Sequence, residues 1–231
     1  MKTIGLIGGM SWESSIEYYR IINETAKEKL GGLHSAKSMM VSVDFAEIEK
    51  LQHEDRWDEA GQMLVKCAQD LERGGADLIV LCTNTMHKLA DQIIANVNIP
   101  FLHIADATAE KIIASGIKRI GLLGTRFTME HDFYKGRLIN NFGLDVLIPE
   151  KTDCDIIHRV IYEELVLGKI VDASRTEYQR IMSDLLAKGA EGIILGCTEI
   201  ELLIKDGDSS APLFPTTRIH AIAAVEKALE K

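Results

Sequence analysis

The feature that most limits what this chain can become is a repeat within it. The segment Lys2-Thr3-Ile4-Gly5-Leu6-Ile7-Gly8 resembles Lys118-Arg119-Ile120-Gly121-Leu122-Leu123-Gly124, an offset of 116 residues. The segment Gly75-Ala76-Asp77-Leu78-Ile79-Val80-Leu81 resembles Gly189-Ala190-Glu191-Gly192-Ile193-Ile194-Leu195, an offset of 114. Two ordered matches at nearly one offset imply duplicated halves. Each contains a short apolar run that reads as a buried strand, too brief for a helix.

Strands are expected over 3–7, 38–43, 78–81, 119–123, 144–148 and 192–195. Between them, apolar residues recur with helical spacing over 14–30, 56–73, 128–141, 155–167 and 173–188, and a last helix over 217–231 follows the Pro-containing stretch 211–216. Continuous apolar strands alternating with helices predict parallel sheets covered on both faces. The fold class is therefore α/β, with two pseudosymmetric doubly wound parallel-sheet domains. The first is expected over 1–98 plus 212–231, because a terminal helix must cover some sheet face, and the second over 99–211. Ligands of such sheets bind beyond the carboxyl ends of the strands, so the active site is expected in a cleft between the two domains.

Carrying the repeat two residues further aligns Cys82-Thr83-Asn84-Thr85 with Gly196-Cys197-Thr198-Glu199. Thr83 then stands opposite Cys197, each between an apolar strand and a helix-like segment. A helix start presents unpaired N–H donors and lowers the pKa of a nearby thiol. The arrangement suits removal of a proton next to a carboxylate. Cys197 is the expected base, and the donors of Asn84, Thr85, Thr198 and Glu199 can hold the carboxylate as its charge grows. The bland alternatives are a compact buried cysteine and simple helix capping. Thr125 belongs to the second-half counterpart of the Gly8-Gly9-Met10-Ser11 loop, and that loop, with Trp12 beside it, matches neither a dinucleotide-binding nor a P-loop pattern. Arg126 is a candidate carboxylate partner or an exposed loop arginine. His87 either tunes the site or is satisfied within the fold. Glu199 can assist the proton transfers of Cys197. The cluster His53-Glu54-Asp55-Arg56 reads as a solvated helix start, not a metal site.

The formal net charge of −9 opposes nucleic-acid or anionic-membrane partners. No run reaches the ~20 apolar residues of a membrane span, and the N-terminus lacks the features of a signal peptide. The reading is a cytoplasmic protein. Its four cysteines, Cys67, Cys82, Cys154 and Cys197, show no zinc-like spacing and are expected as free thiols.

With these residues in view, the chain resembles the aspartate/glutamate racemase superfamily along its whole length. Ile4-Gly5-Leu6-Ile7-Gly8-Gly9-Met10, Thr83-Asn84-Thr85-Met86-His87 and Gly196-Cys197-Thr198-Glu199 carry the resemblance. It is nearest to the aspartate racemase branch and its broad-specificity amino-acid racemase relatives. The resemblance implies a homodimer, a small amino-acid substrate, and a mechanism without pyridoxal phosphate or metal. It also implies two cysteines flanking the substrate α-carbon, in Cys-Asn-Thr-x-His and Gly-Cys-Thr-Glu. Cys197 matches the second. At the first, this chain has Thr83, with Cys82 displaced by one. Threonine is a poor base, but its hydroxyl can relay a proton to a carbanion already formed, so the expectation is a one-sided enzyme efficient on an L-amino acid. A one-residue bulge would instead bring Cys82 to the site, although the repeat points it at the sheet interior. By resemblance, the Met10 backbone approaches substrate and Gln52 contacts it. Some aspartate racemases carry an arginine and a lysine where Ile48 and Val166 fall here, a departure from acidic-substrate recognition. Two further readings stay open: a lone-cysteine decarboxylase of the same superfamily, and a non-catalytic amino-acid-binding protein.

Overall fold

The structure is a computed structural model that describes residues 1–230; Lys231, the last residue of the expected terminal helix, lies outside the described residues. The chain forms two compact units, Met1–Ile104 with the segment from His220 onward, and Ala105–Ile219.

The first unit runs β1 (Ile4–Gly8), α1 (Trp12–Leu30), β2 (Ser38–Ser42), α2 (Phe45–His53), α3 (Trp57–Gly74) and β3 (Leu78–Leu81). A 3₁₀ turn (Thr85–Leu89), α4 (Ala90–Ile94), β4 (Phe101–Leu102) and the start of α5 (Ile104–Ala114) follow. The second unit holds β5 (Arg119–Gly124), α6 (Arg126–Glu130), α7 (Lys135–Phe142), β6 (Asp145–Leu147), α8 (Lys151–Glu163) and a 3₁₀ turn (Leu165–Leu167). It closes with α9 (Asp172–Ala187), β7 (Ile193–Gly196), α10 (Ile200–Leu203), β8 (Leu213–Pro215) and the first turn of α11 (Thr216–Leu229).

Both sheets are parallel and share one topology, with strand orders β2-β1-β3-β4 and β6-β5-β7-β8. The register repeats as well: Gly5 pairs with Ile79, and Gly121 with Ile193, as the two sequence offsets require. A Cβ on Gly5 would lie 2.9 Å from the Ala76 Cβ and 3.1 Å from the Leu78 carbonyl oxygen, so that strand is packed too closely to admit a side chain there; one on Gly121 would press the Ile193 Cδ1 at 2.7 Å, a flexible side-chain end.

In the first unit, strand alternation puts Ile4 and Leu6 on one face with Leu78, Val80 and Cys82. Tyr18, Ile21, Ile22 and Ala26 of α1 cover that face together with Ala221, Ala224, Val225 and Ala228 of α11. The terminal helix thus completes the first unit's core, and the Lys2 N–H bonds the Ala228 carbonyl at 2.8 Å.

Two strands escape the sequence reading. β4 and β8 hydrogen-bond to β3 and β7 as edge strands, and the sequence divisions at 98/99 and 211/212 set each outside the sheet it completes. Runs of two and three residues carry no readable periodicity, and Pro215 is tolerated because an edge strand has one unpaired side. The expected helix over 128–141 is interrupted between Glu130 and Lys135, and α2 occupies a stretch with no expected element. The cluster at 53–56 is exposed and leads into α3 with Arg56 as its N-cap, as expected, although His53 also ends α2 and Asp55 takes φ 57° in the turn between the two helices.

Candidate active site

In a parallel sheet the crevice forms where neighbouring strands send their connections to opposite faces, at their carboxyl ends. In the first unit that point lies between β1 and β3, and in the second between β5 and β7. The loops that follow these four strands carry most of the sequence-expected site residues.

After β1 the chain turns through Gly9 at φ 94°. The Gly9 N–H donates to Ser15 Oγ at 2.8 Å, the Gly8 carbonyl accepts from Val43 N–H at 3.0 Å, and Met10 is buried. After β3, Cys82 continues the covered face and lies in the core among α1 and α11 residues, its thiol pushed far up by burial alone. Thr83 leaves that face, and its N–H bonds the Leu81 carbonyl at 2.9 Å. Asn84 and Thr85 open the 3₁₀ turn, both buried. His87 lies on that 3₁₀ turn, and its Nδ1 is 2.7 Å from the Thr83 carbonyl, so the ring is satisfied within the fold. Gln52, near the end of α2, is buried and donates through Nε2 to Met86 Sδ at 2.9 Å, which joins it to the segment carrying Thr83.

In the second unit Thr125 follows β5 and caps α6, its Oγ1 accepting from Thr128 N–H at 3.3 Å. The next residue, Arg126, pairs with Asp155 at 2.9 Å between side chains about half exposed. β7 ends at Gly196, where a Cβ would stand 2.7 Å from the Leu123 carbonyl oxygen, so the partner of Cys82 in the repeat must be glycine. Cys197 is buried next, and its Sγ donates to Glu199 Oε2 at 2.9 Å; Thr198 Oγ1 donates to the same oxygen at 2.8 Å.

The electrostatics of Cys197 correct one expectation. A helix start was expected to lower its pKa, yet the thiol is held well above its ordinary value. Burial is the largest cause, followed by the charge of Glu199 and the hydrogen bond to it. The N–H groups of Glu199 and Ile200 pull the other way and lose. Burial and the adjacent carboxylate outweigh the two donors at the start of α10, which has only 4 residues. Cys197 rests as a thiol that donates to the Glu199 side chain.

A sequence profile of the family described as Asp/Glu/Hydantoin racemase matches residues 7–224. The chain belongs to this racemase family. A crystal structure described as a candidate Asp/Glu racemase from Yersinia pestis shares 56% identity over 100% of both chains, with a TM-score of 0.94. An aspartate racemase homologue from Pyrococcus horikoshii OT3 shares 37% identity over 100% of both chains, with a TM-score of 0.86. The broad specificity amino-acid racemase RacX of Bacillus subtilis (strain 168) is 24% identical over 175 residues, 73% of this chain and 72% of that one. Family membership makes the chain an isomerase.

Around its strand ends this racemase-family chain has further groups that sequence reasoning missed. Tyr178 of α9 is fully buried, donates to the Ile157 carbonyl at 3.1 Å, and lies near enough to Cys197 that an ionised thiol opposes its own ionisation. Thr216 Oγ1 donates to the Leu195 carbonyl at 2.8 Å and pins the end of β7. His103 and His220 join His87 in one buried group. No local pattern marks these residues, because each is defined by a partner distant in the chain. Among the described residues no group of His, Cys, Asp and Glu has the makings of a metal site, and no helix is long and apolar enough to cross a membrane.

Proposed function

We propose that this chain is an amino-acid racemase that needs no cofactor, with Cys197 and Thr83 serving opposite faces of the substrate α-carbon. The observation that carries the reading is the Cys197–Glu199 pair, a buried thiol 2.9 Å from a buried carboxylate at the end of a central strand.

In the forward direction Glu199 takes the thiol proton, and the thiolate takes the α-proton of an L-amino acid. The C–H electron pair passes into the substrate carboxylate as an enediolate. Backbone donors at the strand ends, among them those of Asn84, Thr85, Thr198 and Met10, stabilise that charge. Thr83 then passes its hydroxyl proton to the opposite face as it receives one from water, because a free threonine alkoxide is too basic to persist. The hydroxide left behind is neutralised by the proton that Glu199 releases, which restores the carboxylate and leaves Cys197 as the thiol carrying the former α-proton. Two acids of such unequal strength favour abstraction from the L side. Gln52 and Thr125 complete the substrate-contacting set. Ile48 is fully buried and Val166 half-buried, and neither supplies a cation, which favours a substrate range broader than aspartate and glutamate.

The test is α-deuterium wash-in, followed by NMR and chiral chromatography on a panel of L- and D-amino acids in D₂O. Exchange with inversion, abolished in Cys197→Ala, supports the racemase. In Thr83→Ala, loss of inversion with surviving exchange of the L-enantiomer supports the division of labour between Thr83 and Cys197. Binding without exchange across the panel overturns the racemase reading.

A further inference from the structure

We propose that His87 is the positioning residue for Thr83, acting as a neutral imidazole held in one tautomer by two backbone groups; this rests on the racemase reading of Thr83. Were an α-helix to begin after β3, the Thr83 carbonyl would receive the His87 N–H. The segment is a 3₁₀ turn instead, and the His87 N–H bonds Asn84 O at 3.1 Å. The side chain of the same residue answers the carbonyl: Nδ1 lies 2.7 Å from Thr83 O.

The other ring nitrogen meets a group of opposite character. Nε2 accepts from the Ile104 N–H at 3.1 Å, the first amide of α5 and a donor that the helix itself cannot satisfy. A carbonyl can only accept and an amide N–H can only donate. Nδ1 therefore carries the hydrogen and Nε2 the lone pair.

The surroundings keep the ring in place. His87 is 2% exposed, its centroid lies 4.5 Å from that of His103 and 5.5 Å from that of Phe101, and the His220 ring is 5.8 Å away. His220 is itself fixed in the opposite tautomer, with Nε2 donating to Leu102 O at 2.9 Å and Nδ1 accepting from Tyr18 Oη at 2.8 Å. One rigid ring thus spans from the backbone of the proton-relaying threonine to the first amide of a helix. A weak acid needs such a brace, since a misplacement of about 1 Å can cost about 100-fold in rate.

Two variants separate the two bonds. His87→Asn puts an amide N–H where Nδ1 sits and keeps the bond to Thr83 O, but removes the acceptor that the Ile104 N–H uses. His87→Gln puts a carbonyl oxygen where Nε2 sits and keeps the Ile104 bond, but loses the one to Thr83. With an L-amino acid in D₂O, the quantity read is the ratio of inversion to exchange with retention. The His87→Asn variant, which loses the anchor at Ile104 but keeps the bond to Thr83, should lower this ratio by less than about 10-fold, while the His87→Gln variant lowers it by about 10- to 100-fold with exchange at the Cys197 face preserved. Equal effects of the two variants, or inversion and exchange falling in step with melting temperature, overturn the proposal. Imidazole ¹⁵N NMR of the unaltered protein tests it even if neither variant folds: His87 protonated on Nδ1 supports it, and on Nε2 overturns it. An unaltered protein that exchanges no α-hydrogen defeats the racemase reading; one that inverts, with the His87→Gln variant inverting in proportion to its exchange, defeats the role of His87 alone.

Discussion

Replacing Glu199 by glutamine should move two properties of Cys197 in opposite directions. Three influences hold the thiol up: burial, the Glu199 charge and the hydrogen bond to Glu199. Glutamine keeps the shape of the side chain and removes the charge and the carboxylate acceptor, while the backbone N–H groups at positions 199 and 200 still favour the thiolate. Cys197 should therefore ionise more readily and alkylate faster. Turnover should fall. The 2.9 Å separation of Sγ and Oε2 allows direct proton transfer with no intervening water, and loss of a positioned proton acceptor costs about 100- to 10,000-fold, or about 3–5 kcal/mol of barrier. The assay pairs initial racemisation rates from chiral chromatography with iodoacetamide labelling. Labelling is read at Cys197 by peptide mass spectrometry, because Cys67, Cys82 and Cys154 are free thiols too. If labelling and racemisation rise together, Glu199 only restrains the thiolate and is not the proton acceptor. If labelling is unchanged, the carboxylate does not govern the thiol at all.

Cys82→Ala should leave racemisation within about two-fold and lower stability by about 1 kcal/mol in thermal melts; a loss of activity comparable to Cys197→Ala would place Cys82 in the chemistry. Gly196→Ala should destabilise by about 1–3 kcal/mol, since its Cβ would crowd Leu123 O at 2.7 Å and Leu122 Cδ1 at 2.9 Å; a melt unchanged from the parent would show that the strand yields. Burial first, then the nearby charges of Glu130, Asp155 and Asp153, pushes the Cys154 thiol up to about 11. A thiol raised on folding contributes stability that is complete below its unfolded pKa of about 8.5 and is lost as pH rises through the folded value. Cys154 should therefore contribute about 3 kcal/mol of the loss of stability between about pH 8.5 and 11, and Cys154→Ala should make the decline shallower by that share, whereas an identical slope in the variant would assign it elsewhere.

Much of the fold was legible because the strands are buried on both faces and so read as unbroken apolar runs. The two repeat offsets reappear as one register shared by the β1–β3 and β5–β7 pairs. The repeat put Cys82 inward, and the core cluster of α1 and α11 contains it. The edge strands β4 and β8 were not legible, because they exist only by hydrogen-bonding to β3 and β7. The domain divisions therefore fell a few residues short of Ile104 and Ile219.

What the sequence by itself determined is the pairing with which the duplication ends: Thr83 aligned with Cys197, after strands of matching composition and offset. That information is local, carried by residue type, period and spacing. What only the tertiary structure decided is the state of those groups. Burial and a carboxylate two residues away outweigh a one-turn helix at Cys197. A histidine is read as a brace only when the Thr83 carbonyl and the Ile104 amide, 4 and 17 residues from it in the chain, both meet its ring. A proton's place depends on distances between such groups, and chain folding alone sets those distances.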